Sequence, residues 1–82
     1  MMSQSFYQQK PTVDTPYKQL ELECANGWRV RLLGGTKWGR ENAEELRVVK
    51  VQDFDAGVLE YNKIFGELRE QGWKPYNPQV AW

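Results

Sequence analysis

Histidine is absent from this 82-residue chain, and cysteine occurs only once, as Cys24. Without histidine, the chain lacks the side chain that most often serves as a general base and as a metal ligand. A single cysteine can form neither an internal disulfide nor a zinc site, which favours a reducing compartment, and we expect the cytoplasm. We therefore expect a protein that is not an enzyme, with no catalytic residues, no metal site and no cofactor.

Long apolar runs are also missing. No segment approaches the ~18 consecutive apolar residues of a membrane-spanning helix, so we predict no membrane partner. The first 16 residues lack a basic stretch followed by an apolar one, so we expect no signal peptide. The stretch "GGTKWG" superficially looks like a phosphate-binding loop, but its spacing of glycine, lysine and serine or threonine is not that of a P-loop.

The N-terminal segment differs in composition from the patterned sequence that follows it. Residues 1–16 are polar, rich in glutamine and interrupted by Pro11 and Pro16, which predicts a flexible arm. Residues 17–76 contain the regular apolar patterns and should form one domain, while residues 77–82 should form a tail. Four Trp and four Tyr supply much of the apolar area that so short a chain needs for a core.

The segment "KQLELECANGWRVRLL" (residues 18–33) alternates apolar and polar residues on both sides of a turn, which predicts a β-hairpin. A two-residue Asn26–Gly27 turn would pair apolar with charged residues. A three-residue loop that begins at Ala25, with Gly27 left-handed, makes both faces consistent. The predicted pairs are Cys24 with Trp28, Leu22 with Val30, Leu20 with Leu32, Glu23 with Arg29 and Glu21 with Arg31.

A further strand is predicted for "ELRVVKVQ" (residues 45–52). Its alternation is impure, and the pattern places Leu46, Val48 and Val51 on the inward face.

A long helix is predicted for "DFDAGVLEYNKIFGELREQGW" (residues 53–73), where Asp53 or Asp55 can cap the start and Gly72 can end it. At about 100° per residue, one stripe of the helix is apolar. Its members are Phe54, Val58, Tyr61, Ile64, Phe65 and Leu68. A helix with one apolar stripe needs a sheet to cover it, so we predict an α+β fold. It should be a small antiparallel β-sheet with one long C-terminal α-helix packed across one face.

These segments resemble the WGR domain family over about residues 17–73. The family is named for a Trp-Gly-Arg motif at the end of an antiparallel strand, and it occurs in DNA-dependent poly(ADP-ribose) polymerases and in many bacterial proteins. The similar segments are "YKQLELE", "GWRVRLL", "KWGR", "VVKVQDF" and a helix that ends in "YNKIFGELREQGW". The chain departs from the family after the motif, where "ENAEEL" replaces a glycine-containing segment, and before it, where "GGTK" is either inserted or bulged.

In the polymerase members, the motif tryptophan packs on a sugar at a DNA end and the motif arginine contacts the terminal phosphate. The resemblance therefore implies that Trp38 and Arg40 recognise nucleic-acid ends or phosphates. Gly39 would allow close approach, Lys37 would add charge at the rim, and Tyr76 would add a hydroxyl. In an extended strand, residues 38 and 40 would face the same way.

Each motif side chain also has a structural interpretation. Trp38 could fill the core between sheet and helix. Arg40 could pair with a neighbouring glutamate, namely Glu41, Glu44 or Glu45. Because the hairpin pairs its own arginines, we expect Lys37 and Arg40 to be the freer positive charges.

Two kinds of function follow from the sequence. The first is a small non-catalytic binding module for nucleic-acid ends, with weak affinity because the formal net charge is zero. The second is a protein-interaction or accessory domain without nucleic-acid binding. Its partner would dock on the hairpin edge or on the acidic helix face, formed by Glu60, Glu67, Glu70 and the off-stripe Leu59.

Overall fold

A computed structural model describes residues 2–77 as a five-stranded sheet with one helix. The strands are β1 (Met2–Tyr7), β2 (Tyr17–Cys24), β3 (Trp28–Gly35), β4 (Glu44–Val51) and β5 (Lys74–Pro75). A short 3-10 helix spans Arg40–Asn42, and the helix α1 spans Phe54–Glu70. Every strand pairs antiparallel with its neighbours in the order β4-β3-β2-β1-β5, which confirms the predicted α+β class.

The hairpin of β2 and β3 has the register predicted from its two faces, including Cys24 opposite Trp28 and Glu23 opposite Arg29. Gly27 has a φ of 112°, which a residue with a Cβ rarely adopts. The Ala25 N–H donates to the Gly27 carbonyl at 2.9 Å and closes the three-residue loop. Matching both faces was therefore sufficient to fix the register.

The prediction that residues 1–16 form a flexible arm is wrong for residues 2–7, which form β1. This strand pairs with β2 from Met2 opposite Leu22 to Phe6 opposite Lys18, and the Phe6 side chain is 0% exposed. The strand also contains polar residues. They are tolerated because the strand lies near the edge of the sheet and one of its faces is not covered by the helix. The folded unit therefore includes residues 2–7 and does not begin at residue 17.

The C-terminal segment also joins the sheet, because the two residues of β5 pair with β1. Residues 78–82, which include Trp82 and most of the predicted tail, lie outside the described residues.

The inward face predicted for β4 is wrong at Leu46 and Val48, which are 54% and 37% exposed. Val49 lies opposite the buried Val30, and Val51 lies opposite Trp28, so these two valines face the helix. Leu32 pairs with residue 47 and Leu33 with residue 45, which leaves Leu46 unpaired at a bulge. The consecutive valines at 48 and 49 hid this register in the sequence.

Helix α1 covers one face of the sheet. The Asp53 carboxylate accepts a hydrogen bond from the Ala56 N–H at 2.8 Å and caps the first turn. At the other end, the Trp73 N–H donates to the Leu68 carbonyl at 2.9 Å, and Gly72 has a φ of 92°. The core between the two layers consists of Phe6, Leu20, Leu22, Val30, Tyr61, Ile64, Leu68 and Trp73.

Candidate nucleic-acid interface

The motif lies on the sheet face that α1 leaves open. Residues 36–43 connect β3 to β4 and fold back across this face, and the Trp38 N–H donates to the Val13 carbonyl at 3.2 Å. Gly39 turns the chain with a φ of 119°, so the extended conformation expected for residues 38–40 is wrong. Trp38 and Arg40 nevertheless reach the same face, because their partners Tyr17 and Glu21 lie four residues apart on β2 and point the same way.

The glycine pair before the motif ends β3. Gly34 and Gly35 continue the strand and pair with Lys18 and Tyr17. A Cβ at Gly35 would lie 2.6 Å from the Asn42 carbonyl oxygen, so the glycine allows the returning loop to approach the strand. These glycines are therefore a strand end and a site of close backbone approach.

Trp38 belongs to an aromatic cluster outside the helix-side core. Its ring contacts Tyr17 edge to face at a centroid distance of 4.9 Å and Tyr76 at 5.2 Å. Tyr17 is 4% exposed, whereas Trp38 is half-buried. The hypothesis that Trp38 fills the core between sheet and helix is thus wrong. Burial raises the pKa of the Tyr17 phenol, which stays protonated at neutral pH.

Arg40 forms a bidentate ion pair with Glu21 rather than with a neighbour in sequence. Its Nε lies 2.7 Å from Glu21 Oε2, and its second guanidinium nitrogen lies 3.1 Å from Oε1. The predicted pairing with Glu41, Glu44 or Glu45 is wrong, because the turn at Gly39 carries the guanidinium over β2. The hydrogen bonds to Glu21 raise the pKa of Arg40, whose side chain is still 54% exposed.

The three other predicted site residues are Lys37 and Gly39, which flank Trp38 in the chain, and Tyr76, which contacts its ring. Lys37 is exposed and, within residues 2–77, has no ion-pair partner. A Cβ at Gly39 would lie 2.6 Å from a carboxylate oxygen of Glu41, which places that acid beside the motif. Tyr76 reaches the face because its N–H donates to the Ser5 carbonyl at 2.8 Å and continues the pairing of β5.

The open face is close to electrical neutrality, because each of its arginines has a glutamate. Arg29 Nε lies 2.7 Å from Glu23, and Arg31 lies 3.1 Å from Glu23, 3.6 Å from Glu21 and 3.0 Å from Glu45. Lys37 is thus the freer cation near the motif, while the expectation that Arg40 would also be one of the freer charges is wrong.

A polar cluster beside Trp38 was not anticipated from the sequence. The Ser5 hydroxyl donates to Gln19 Oε1 at 2.6 Å, and Gln19 also bonds to Tyr17 and to Ser3. With Tyr76, the side chains of Ser3, Ser5 and Gln19 border a cleft of about 620 Å³ at the β1 edge. The alternating serines of "MSQSFY" are the signal that could have revealed it, had β1 been recognised as a strand.

The two surfaces predicted for a protein partner, the hairpin edge and the acidic helix face, are less available than the sequence suggested. The β2–β3 hairpin lies inside the sheet, with β1 paired along residues 18–22 and β4 along residues 28–34, so most of its two edges is occupied. On the helix, Glu60 and Glu67 bind Arg47 at 3.5 Å and 3.3 Å, which neutralises part of the acidic face. Leu59 is 74% exposed on α1, as its position outside the apolar stripe predicts.

Comparison with family models, curated proteins and solved structures found no match to this chain. Among residues 2–77, no three His, Cys, Asp or Glu side chains are grouped so that they could hold a metal ion. The same part of the chain contains no helix with both the length and the apolar character needed to cross a membrane.

Proposed function

We propose that this chain is a small non-catalytic binding module, similar to WGR domains, that recognises nucleic-acid ends through its open sheet face. The observation that supports this most directly is the meeting of Trp38, Tyr76 and Arg40 on that face, although the first two are far apart in sequence. Trp38 and Tyr76 offer ring surfaces for a sugar or base, and the Arg40 fork matches the oxygens of a phosphate.

The charge of the face limits the affinity. The segment "KWGR" itself supplies two cations, Lys37 and Arg40, and Arg40 already contacts Glu21. Neutralising about two phosphates predicts weak binding whose logarithm falls with the logarithm of salt at a slope of about −2. Recognition would then rest on the geometry of an end rather than on a broad basic surface.

The test is an NMR titration with a short blunt duplex that carries a 5′-phosphate, at low and at moderate salt. Salt-sensitive shifts of the Trp38 indole and the Arg40 side chain, weaker with an unphosphorylated duplex, would support the proposal. If neither signal moves at low salt, the proposal is wrong.

Two variants of equal charge make this titration specific. Lys37→Gln removes a cation next to Trp38, and Lys50→Gln removes one from β4, far from the aromatic cluster. We expect Lys37→Gln to weaken duplex binding severalfold and Lys50→Gln to change it little. Equal losses would point to non-specific attraction instead.

We also propose that the protein works in the cytoplasm. Cys24 is exposed and forms no disulfide, which suits a reducing compartment. Fractionation of cells that produce the protein, with thiol labelling of Cys24 in the lysate, tests this. Recovery of a protein oxidised at Cys24 from an oxidising compartment would contradict it.

The free edge of β4 supports a second candidate, a protein-interaction module. Within residues 2–77 this strand pairs on one side only, and Leu46 and Val48 are exposed along it. An extended segment of a partner could add to this edge by main-chain hydrogen bonding. A partner captured by the wild-type chain but not by Val48→Lys, with duplex binding unchanged, would support this role.

A further inference from the structure

The Arg40–Glu21 pair has the geometry of an occupied oxyanion site. Two guanidinium N–H groups of Arg40 point to the two oxygens of the Glu21 carboxylate, at 2.7 Å and 3.1 Å. This is the same paired arrangement with which arginine binds two oxygens of a phosphate. The carboxylate therefore stands where a phosphate would bind on this edge of the guanidinium.

The two partners differ in their freedom to move. The Arg40 side chain is 54% exposed, whereas the Glu21 side chain is 12% exposed and is fixed on the central strand β2. An incoming anion can thus reach Arg40 directly from solvent. Glu21 cannot leave the face with it, because its backbone is paired on both sides.

A second arginine is already in place for the carboxylate that an anion would displace. Arg31 lies 3.6 Å from Glu21 Oε1, on the side of the sheet toward β3. A buried carboxylate that lost its only partner would be costly, and Arg31 reduces that cost. Glu21 can exchange one arginine for the other instead of being left unpaired.

We propose that Glu21 is an internal competitor that sets the affinity of Arg40 for phosphate. This inference rests on the proposed recognition of nucleic-acid ends. Only molecules with Arg40 released from Glu21 can offer its Nε–H and Nη2–H to a ligand. The apparent dissociation constant for a phosphate bound on this edge of the guanidinium is therefore raised by the reciprocal of that fraction. Glu21 thereby keeps a solvent-exposed arginine from binding every phosphate it meets.

The test compares wild type, Glu21→Gln and Glu23→Gln in binding to the 5′-phosphorylated blunt duplex. The two variants change the net charge equally, but only Glu21 contacts Arg40, since Glu23 binds Arg29 and Arg31. We expect Glu21→Gln to bind the duplex about three- to tenfold more tightly than wild type does. This gain in affinity should be larger than any gain from Glu23→Gln. Addition of Arg40→Gln to Glu21→Gln should abolish the gain.

A purely structural role gives the opposite result. If the pair only holds residues 36–43 on the sheet, Glu21→Gln will loosen Trp38 from Tyr17 and weaken binding. If wild type binds the duplex and Glu21→Gln binds it equally or more weakly, Glu21 is not a competitor. The proposed function is then left intact. Absence of binding by both proteins overturns the proposed function.

A second measurement uses only the wild-type chain, so its result does not depend on whether a variant folds. During titration with the duplex, the Arg40 Nε signal and the Glu21 carboxyl carbon signal should shift together, with the same midpoint. A shift of Arg40 without any shift of Glu21 would show that the ligand does not displace the carboxylate, and would overturn the competitor.

Discussion

At the scale of single residues, the two glycines within α1 have opposite surroundings. A Cβ at Gly57 would lie 2.5 Å from a methyl carbon of Leu22, which is fully buried, whereas a Cβ at Gly66 would meet nothing within 4 Å. Gly57 therefore permits close contact between helix and sheet. Within the described residues, nothing around Gly66 requires a glycine.

We predict that the same substitution changes stability in opposite directions at these two positions. Gly66→Ala should stabilise the fold by about 0.5–1 kcal/mol through helix propensity alone. Gly57→Ala gains the same helix propensity, but its Cβ overpacks Leu22. The free energy of unfolding should therefore fall by about 1 kcal/mol. Urea unfolding of both variants measures the difference, and a stabilising Gly57→Ala would show that Leu22 can move aside at little cost.

The buried phenol of Tyr61 makes stability sensitive to alkaline pH. Burial raises its pKa above the ordinary value of 10.0, so the folded state holds the proton at a pH where the unfolded chain has lost it. This contribution is complete below pH ~10 and is lost as the pH rises through the folded pKa. Unfolding free energies between pH 8 and 11 should fall less steeply for Tyr61→Phe than for wild type. Parallel curves would contradict the prediction.

At the scale of elements, β1 tests how strongly the fold depends on its N-terminal strand. Phe6 is 0% exposed and contacts Phe65 edge to face at 5.0 Å. We predict that Phe6→Ala destabilises the protein by about 3–5 kcal/mol, which can unfold a domain of this size. Val13→Ala is the control, because Val13 is 69% exposed in the following loop, and its effect should stay within about 0.5 kcal/mol.

The elements also show which parts of the structure could be predicted from sequence. The β2–β3 register followed from matching both faces, and α1 followed from a cap, an apolar stripe and a final glycine. The strand β1 could not be recognised, because in "MSQSFY" three polar residues separate Met2 from Phe6, and the strand owes its conformation to pairing with β2. Propensity is a weak guide where tertiary pairing decides.

The site was predictable only in part for a similar reason. The sequence order places Trp38 and Arg40 two residues apart, but the turn at Gly39 and the partner Glu21 depend on how the loop returns over the sheet. A contact between residues 19 positions apart has no local signature. The same holds for Trp38 and Tyr76, which meet because β5 pairs with β1.

At the scale of the whole molecule, the sheet separates two layers of side chains. The helix side contains the core cluster that includes Trp73, which is 8% exposed and covered by the Lys18 side chain at 5.2 Å. The open side contains Trp38, half-buried among tyrosines outside that core. Stability should therefore depend mainly on the first layer, and the nucleic-acid recognition that we propose would depend on the second.

Two tryptophan variants measure this separation. Trp73→Ala removes a large ring from the core and should cost about 3–5 kcal/mol of unfolding free energy. Trp38→Ala loses two edge-to-face contacts, at about 0.5–1.5 kcal/mol each, and should remain folded while it loses duplex binding. Urea unfolding and the NMR titration together give both readouts. A Trp38→Ala protein as unstable as Trp73→Ala would mean that the open face supports the fold, and that a loss of binding there reports unfolding rather than recognition.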